Sequence, residues 1–355
     1  MDGAEIITLA VDRSGTLPGQ LQRVVDERLP LRDGQIRLRI DRFSLSANNL
    51  TYALLGDRMG YWALFPVGEP WGIVPAWGFA TVIDSADDRI AIGECLYGLW
   101  PMASETVLKP GRVNARLIVE NSPHRRALPP AYNSYFRLAA DPIHAPGSED
   151  RQAVLRPLFI TSFLLDRRVA ASTESDTVIV TSASSKTALG LGWLLRDRPA
   201  KRSIGITSPR NRDAVTALGL FDAVATYDDL PRSDGAVIID FSGDHDMLDR
   251  LRGNGTGARL CRVGMTHWRD GSEELAPRGA HDEFFFAPDA IIKAAAELGP
   301  AGFDAALAEA TRAFIAASRP WLGIEVVRGG TAIGEAWARL RFGSGDPTSA
   351  IVASF

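Results

Sequence analysis

Cysteine is nearly absent: Cys95 and Cys261 are the two among 355 residues. Two thiols exclude a disulfide scaffold and a four-cysteine zinc knuckle. Histidine is scarce too, with five in the chain. His124 and His144 fall in loop-like stretches without H-x-x-x-H spacing. A catalytic zinc needs three convergent Cys, His or carboxylate ligands, so none is expected. No stretch of about 18 apolar residues occurs, so no membrane-spanning helix is expected. Charge of one sign is also missing. The formal charge is −4, with 39 basic and 43 acidic residues mixed along the chain. No basic tract argues for nucleic acid. The opening MDGAEIITLAVDRSG has no basic n-region and no long apolar run, so no signal peptide is expected. A cytoplasmic protein with reduced thiols follows.

What is present is ordinary globular material, 46% hydrophobic and 23% charged. That length exceeds one small core, so two domains are expected. Between Gln35 and Leu45, Ile36, Leu38 and Ile40 alternate with Arg37, Arg39 and Asp41, the pattern of a half-buried strand. A second β-rich stretch runs from Trp71 to Trp100. The first 150 residues therefore read as mostly β with short helices, and Pro129 to Gly147 as loop. The character then changes. AVLRPLFITSFLLDRRV suits a buried helix. Short apolar runs at 177–182, 202–208, DAVATY, 235–243, 258–265 and 282–288 read as strands, with helical patterns between the earlier ones. Strands and helices alternating at this spacing imply parallel βαβ units. The chain closes with helix AALAEATRAFIAAS, strand GIEVV, helix TAIGEAWARLRF and strand SAIVASF.

This order resembles the medium-chain dehydrogenase/reductase superfamily, in its zinc-free quinone-oxidoreductase-like branch. Eight degenerate motifs fall in the right order. SANNLTYALLGD (46–57) resembles N-P-x-D-Y, with Asn48 and Tyr52 on the Asn and Tyr, and Asn49 and Thr51 replacing the proline and aspartate. VPAWGFATVIDS is similar to P-G-x-E-x-A-G-x-V, with Trp77 where zinc-dependent members often carry a ligand histidine. GECLYGLWP is similar to G-D-R-V-Y-G. RPLFITSFLLDRR is similar to P-x-x-x-L-T-A-Y, with Thr161 on the threonine that lies near nicotinamide in the family. VIVTSASSKTALGLG, VIIDFSG, ARLCRVGMT and the last 32 residues are similar to the remaining family segments. The resemblance implies an α/β chain: a GroES-like β-rich catalytic domain (1–155), a Rossmann-like parallel-sheet cofactor domain (156–319) and a C-terminal return to the catalytic domain (320–355).

A dinucleotide site usually has glycines after its first strand, which let backbone N–H groups approach the pyrophosphate at a helix N-terminus. This chain carries Ser182, Ala183, Ser184, Ser185, Lys186 and Thr187 instead. The hydroxyls and the lysine charge are candidate phosphate holders; the alternative is a capped helix start with a solvated lysine. The second strand normally ends in an acid that binds the ribose 2′-OH. Here Ser208, Arg210 and Arg212 follow it, with no acid before Asp213. Guanidinium groups suit a 2′-phosphate, so NADP(H) is favoured over NAD(H). Phe241 and Ser242 end the fourth strand, and Gly264, Met265 and Thr266 the fifth; both loops are candidate cofactor walls.

The segment 56–72 is dense in aromatics. Zinc-free enoyl reductases of the superfamily carry a tyrosine shortly after the N-P-x-D-Y match, and Tyr61 is the nearest one here. A phenol can hydrogen-bond a carbonyl or enolate oxygen. Tyr61, or failing that Tyr52, with Asn48 beside it, is thus the catalytic candidate. Trp62, Phe65 and Trp71 are candidate walls of an apolar pocket, with Tyr97, Asn133, Tyr135 and His267 as further substrate-site candidates. The competing reading is that these aromatics fill a lid or a domain seam.

The expectation is a zinc-independent, NADPH-dependent oxidoreductase. It would transfer hydride to an activated C=C or C=O bond of an apolar small molecule. Its rivals are a superfamily fold with a lost or altered dinucleotide site, serving as a binding or regulatory protein, and a non-redox lyase or hydrolase. The superfamily commonly dimerises through the edge of its cofactor domain. In this chain that would involve the strand at 282–288, whose Phe284–Phe286 run is awkward in water.

Overall fold

Two periodicities, one of strands alone and one of strands alternating with helices, sort the chain into two units. The computed structural model describes residues 5–14, 19–171, 175–263, 282–341 and 346–355. The first unit takes in Met1–Val154, Gly323–Gly345 and Ser349–Phe355. The second takes in Leu155–Leu322 and Asp346–Thr348.

The first unit opens with β1 (Glu5–Asp12), β2 (Gln22–Glu27) and β3 (Ile36–Leu45). Two short helices follow, α1 (Ala47–Leu54) and α2 (Gly56–Met59). Then come β4 (Trp71–Gly72), β5 (Pro75–Ser85), β6 (Cys95–Pro101), β7 (Glu105–Leu108), β8 (Pro110–Val113), β9 (Leu117–Glu120) and β10 (Ser134–Arg137). Alternation in β3 does bury Ile36, Leu38 and Ile40, but Arg37 is buried as well. Its guanidinium bonds the Leu29 carbonyl and lies 3.7 Å from Glu105, which compensates the burial. The stretch 129–147 is not all loop. β10 pairs with both β6 and β9 inside it. Four residues among Pro and Ala are too few to display a strand period.

The second unit is built from α3 (Glu149–Ala171), β11 (Thr177–Val180), α4 (Lys186–Leu195), β12 (Arg202–Thr207), α5 (Arg212–Leu218) and β13 (Ala223–Thr226). It continues with β14 (Val237–Asp240), α6 (His245–Gly253), β15 (Arg259–Arg262), β16 (Asp282–Phe284), α7 (Ala287–Leu298) and α8 (Pro300–Ala317). Its six strands form one parallel sheet in the order β13-β12-β11-β14-β15-β16. Strand order reverses between β11 and β14, the switch point of a doubly wound sheet. Ile179, Ile204, Ile206, Ile238 and Leu260 meet Met247, Leu248 and Leu251 of α6 in a core cluster, which is why these strands are apolar almost throughout. The expected strand at 282–288 is shorter than its apolar run. Phe286 caps α7 and Pro288 stands in the first turn, so the helix begins where the run seemed to continue.

The chain ends with β17 (Gly323–Arg328), α9 (Gly329–Arg341) and β18 (Ser349–Ser354), all but the run-in to β18 in the first unit. β18 pairs antiparallel with β3 and parallel with β17. This completes a nine-stranded sheet of order β17-β18-β3-β5-β6-β10-β9-β8, with β7 alongside β3. No helix among the described residues is long and apolar enough to cross a membrane.

Candidate active site

The first unit gathers three phenols. Ser46 starts the arrangement by capping α1: its hydroxyl accepts from the Asn48 N–H, while Asn49 Oδ1 accepts from the Ser46 N–H at 2.8 Å. Asn49, which stands in place of the family proline, also donates from Nδ2 to the Pro75 carbonyl at 2.9 Å. That bond ties α1 to the start of β5. One turn of helix then separates Asn48 from Tyr52, so the two side chains meet. Asn48 Nδ2 donates to the Tyr52 hydroxyl at 2.8 Å. From β5, Trp77 Nε1 donates to the same oxygen at 2.9 Å. β5 can carry Trp77 this close to β3 because Gly78 has no Cβ: one added there would stand 2.1 Å from the Arg42 carbonyl oxygen.

Tyr61 packs its ring 4.6 Å from that of Tyr52. Its hydroxyl lies 3.1 Å from the hydroxyl of Tyr132, which sits in the turn before β10. Burial pushes all three phenols above their ordinary range; the potential charge of Tyr132 adds to this for Tyr52, and those of Tyr52 and Tyr132 for Tyr61. They are neutral O–H groups at physiological pH. Tyr52 differs from the other two in one respect. Its oxygen already receives two N–H bonds, and its own O–H finds no acceptor among the described residues. Tyr132 was missed in the sequence because it lies in a Pro- and Ala-rich stretch without a period.

The other candidates of this unit are buried or half-buried, most of them held by partners of their own. Tyr135 is fully buried, with its hydroxyl between Arg125 Nη1 at 2.7 Å and the Leu99 carbonyl at 3.1 Å. Phe65 is buried under the Arg125 guanidinium, 4.5 Å from its ring centre. Asn133 is buried and donates to the Arg125 carbonyl. Arg125 is itself buried, held by the Leu64 carbonyl and 3.7 Å from Glu120. The sequence signal for a pocket was therefore that of a buried cation and the aromatics around it. Tyr97 is buried between Trp77, stacked at 5.7 Å, and Phe79. Trp62 fills the space left by Gly56 and Gly72, where an added Cβ would stand 2.0 and 2.7 Å from its ring, and Arg13 covers its face. Trp71 is half-buried on β4, opposite Asp12 of β1.

In the second unit, the carboxyl ends of β11, β12 and β14 carry the remaining candidates. Ser182 adopts φ +47°, in the left-handed region, at the position of the first family glycine. Its hydroxyl lies 3.4 Å from that of Tyr227, just past β13. Ser185 caps α4 by accepting from the Ala188 N–H, so that hydroxyl is engaged in the helix start. Ser184 and Thr187 are half-buried, with side chains that make no hydrogen bond among the described residues. Lys186 Nζ donates to the Asp346 carbonyl at 3.0 Å, and burial pushes its amine down to about 8. Arg210 and Arg212 are exposed, and Ser208 and Thr161 half-buried. Thr207, ending β12, is buried with no partner for its hydroxyl among the described residues.

Ser242 corrects the expectation of a cofactor wall. It is fully buried, and its hydroxyl donates to Asp240 Oδ1 at 2.6 Å. Asp240 also accepts from Thr181 Oγ1 at 2.6 Å and from the Ser242 and Gly243 N–H groups. The adjoining Phe241 is buried, and its N–H bonds Thr181 Oγ1. A buried carboxylate needs such donors, and Ser242 serves it rather than a ligand. Gly264, Met265, Thr266 and His267 lie outside the described residues. Among the described residues no three His, Cys, Asp or Glu side chains are grouped to hold a metal.

Residues 43–346 match the family profile described as Protein of unknown function (DUF2855). No curated protein matches the chain in sequence. Solved structures do match it. CurA from Vibrio vulnificus is 15% identical, with 99% of this chain and 98% of that one covered and a TM-score of 0.63. The same protein in complex with NADPH matches at 15% identity, 99% of each chain and a TM-score of 0.59. The CurK enoyl reductase matches at 12% identity, 98% of this chain and 99% of that one, and a TM-score of 0.56. The chain shares its fold with these structures.

Proposed function

The chain belongs to the DUF2855 family, and we propose that within it this protein is an NADPH-dependent, zinc-independent reductase acting on an activated C=C or C=O bond of an apolar small molecule. The observation that carries the reading is the Tyr52 hydroxyl. Asn48 and Trp77 occupy its oxygen as an acceptor, so its hydrogen is left to donate. A neutral phenol aimed this way stabilises an oxygen that gains negative charge. The NADPH complex and the enoyl reductase among the similar structures support the same reading.

The second unit fits a phosphate-bearing nucleotide on two grounds. The orphaned Thr207 hydroxyl ends β12, where an uncharged partner for a ribose or phosphate oxygen is wanted. Lys186, Arg210 and Arg212 supply the positive charge, and the first-turn N–H groups of α4 supply backbone donors. Lys186, Ser184 and Thr187 would hold the pyrophosphate, and Arg210 with Ser208 the 2′-phosphate. When bound, NADPH supplies a hydride, two electrons with one proton, to the electrophilic carbon of the substrate. As negative charge develops on the substrate oxygen, the neutral Tyr52 hydroxyl would donate its hydrogen bond there, and solvent would supply the proton that completes the reduction. Asn48 and Trp77 hold the phenol in place. The Trp77 indole is a donor only, with no lone pair for a metal.

Fluorescence titration of the full chain with NADPH tests the reading, with Arg210→Ala as control. Binding in the micromolar range, weakened in the variant for NADPH more than for NADH, is expected. No binding at millimolar NADPH overturns it and favours a fold that has lost its dinucleotide.

A further inference from the structure

Lys186 occupies the first turn of α4, where backbone N–H groups already concentrate positive potential. A cation is disfavoured there unless an anion shares the place. The chain provides one from 160 positions away. Lys186 Nζ donates to the Asp346 carbonyl at 3.0 Å. The Asp346 side chain is fixed in turn by Thr348, whose N–H and hydroxyl each donate to Oδ1 at 2.7 Å. Those two bonds are the main cause that holds the Asp346 carboxyl below the usual carboxylate range; the positive charges of Lys186 and Arg210 add to it. Both cations assigned above to the nucleotide phosphates are thus within electrostatic reach of this one carboxylate. Asp346–Thr348 also groups with the second unit, although the chain on either side of it belongs to the first.

We propose that Asp346 is a built-in competitor for the nucleotide phosphates, a specificity-determining residue whose charge offsets Lys186 and Arg210 and holds down affinity for a 2′-phosphorylated dinucleotide. The proposal rests on the nucleotide reading of the second unit. Its physical basis is simple. A phosphate arriving at Lys186 meets a lysine already bonded to the Asp346 carbonyl, and it is repelled by the carboxylate of the same residue. NADPH carries one phosphate more than NADH, so the penalty falls harder on NADPH.

Calorimetric titration of the full chain with NADPH and NADH tests this on wild type, Asp346→Asn and Asp346→Glu. Asparagine keeps the Oδ1 acceptor for Thr348 and removes the charge. The Asn variant is expected to bind NADPH about three- to fivefold more tightly, the range of a partly exposed charge pair, and NADH with a smaller gain. The Glu variant keeps the charge and is expected to stay near wild type. If wild type binds NADPH and the Asn variant binds it no more tightly, the inference is overturned and the reductase reading stands. If the Glu variant tightens as much as the Asn variant, charge is not the cause and the inference is again overturned. If neither wild type nor the Asn variant binds NADPH, the reductase reading falls and takes the inference with it.

Discussion

Trp77 and Tyr52 are joined by a 2.9 Å hydrogen bond in which the indole donates to the phenol oxygen. This bond, with that of Asn48, decides which way the Tyr52 hydrogen can go. Tyr52→Phe removes the donor and leaves both N–H groups facing a ring edge. Its kcat is expected to fall by roughly 100- to 1000-fold, the usual cost of one donor to a developing oxyanion, with KM little changed. Trp77→Phe keeps an aromatic ring and frees one acceptor site on Tyr52, so a loss of about tenfold is expected. Steady-state kinetics with NADPH and an α,β-unsaturated carbonyl compound checks both. Equal rates for Tyr52→Phe and wild type would remove Tyr52 from the chemistry.

Tyr61 and Tyr132 form a different kind of pair. Their hydroxyls satisfy each other at 3.1 Å, which leaves Tyr61 to act on Tyr52 through ring packing. Tyr61→Phe is therefore expected to keep kcat within about threefold, and to cost about 1 kcal/mol of stability by orphaning the Tyr132 hydroxyl. Tyr132→Phe is expected to cost a similar amount. The double variant should cost less than the sum, because both partners of one bond are then gone. Urea unfolding of the four proteins measures the coupling, and strict additivity would deny the bond.

Lys186 links pH to both binding and stability. Burial sets its amine at about 8, against 10.5 for an ordinary lysine. Between those values the unfolded chain holds a proton that the folded chain has released. Stability from this group therefore rises with pH from about 8 to 10.5, and its charge is a burden below 8. Lys186→Met is expected to melt higher than wild type at pH 7, with the difference shrinking as pH approaches 10. NADPH affinity of the wild type is expected to decline above pH 8 as the cation is lost, while the Met variant binds weakly at every pH. Thermal melts and titrations at pH 7, 8 and 9.5 separate these trends. A pH-independent wild-type affinity would place the phosphate elsewhere.

Most of the fold was legible because its signals are repetitive. The apolar runs at 177–180, 202–207 and 237–240 are covered on both faces, and nothing but a parallel sheet explains six of them in a row. Asn48 and Tyr52 were legible through the match to the N-P-x-D-Y segment, and helical spacing then puts positions i and i+4 together. Other parts were hidden by what sequence cannot carry. Tyr132 meets Tyr61 across 71 positions, and Lys186 meets Asp346 across 160. Arg125 misled in a specific way. Buried cations gather aromatics and carbonyls, so Phe65, Asn133 and Tyr135 look like a pocket wall when they are the packing around a charge. Ser242 misled likewise, because a hydroxyl at a strand end serves a buried carboxylate as readily as a ligand.

Ser182 offers the last test, because two effects of opposite sign meet there. Its φ of +47° is comfortable for glycine and costs a side-chain-bearing residue on the order of 1 kcal/mol. Against this stands its 3.4 Å contact with the Tyr227 hydroxyl, at the long end of hydrogen-bond distances. The backbone cost is the larger. Ser182→Gly is expected to stabilise by about 0.5 kcal/mol, or roughly 1 to 2 °C in melting temperature. Ser182→Ala keeps the strain and loses the contact, so it should melt below wild type. Calorimetry on the three proteins decides it. A glycine variant that melts below wild type would mean that the Tyr227 contact, not the backbone, governs this turn.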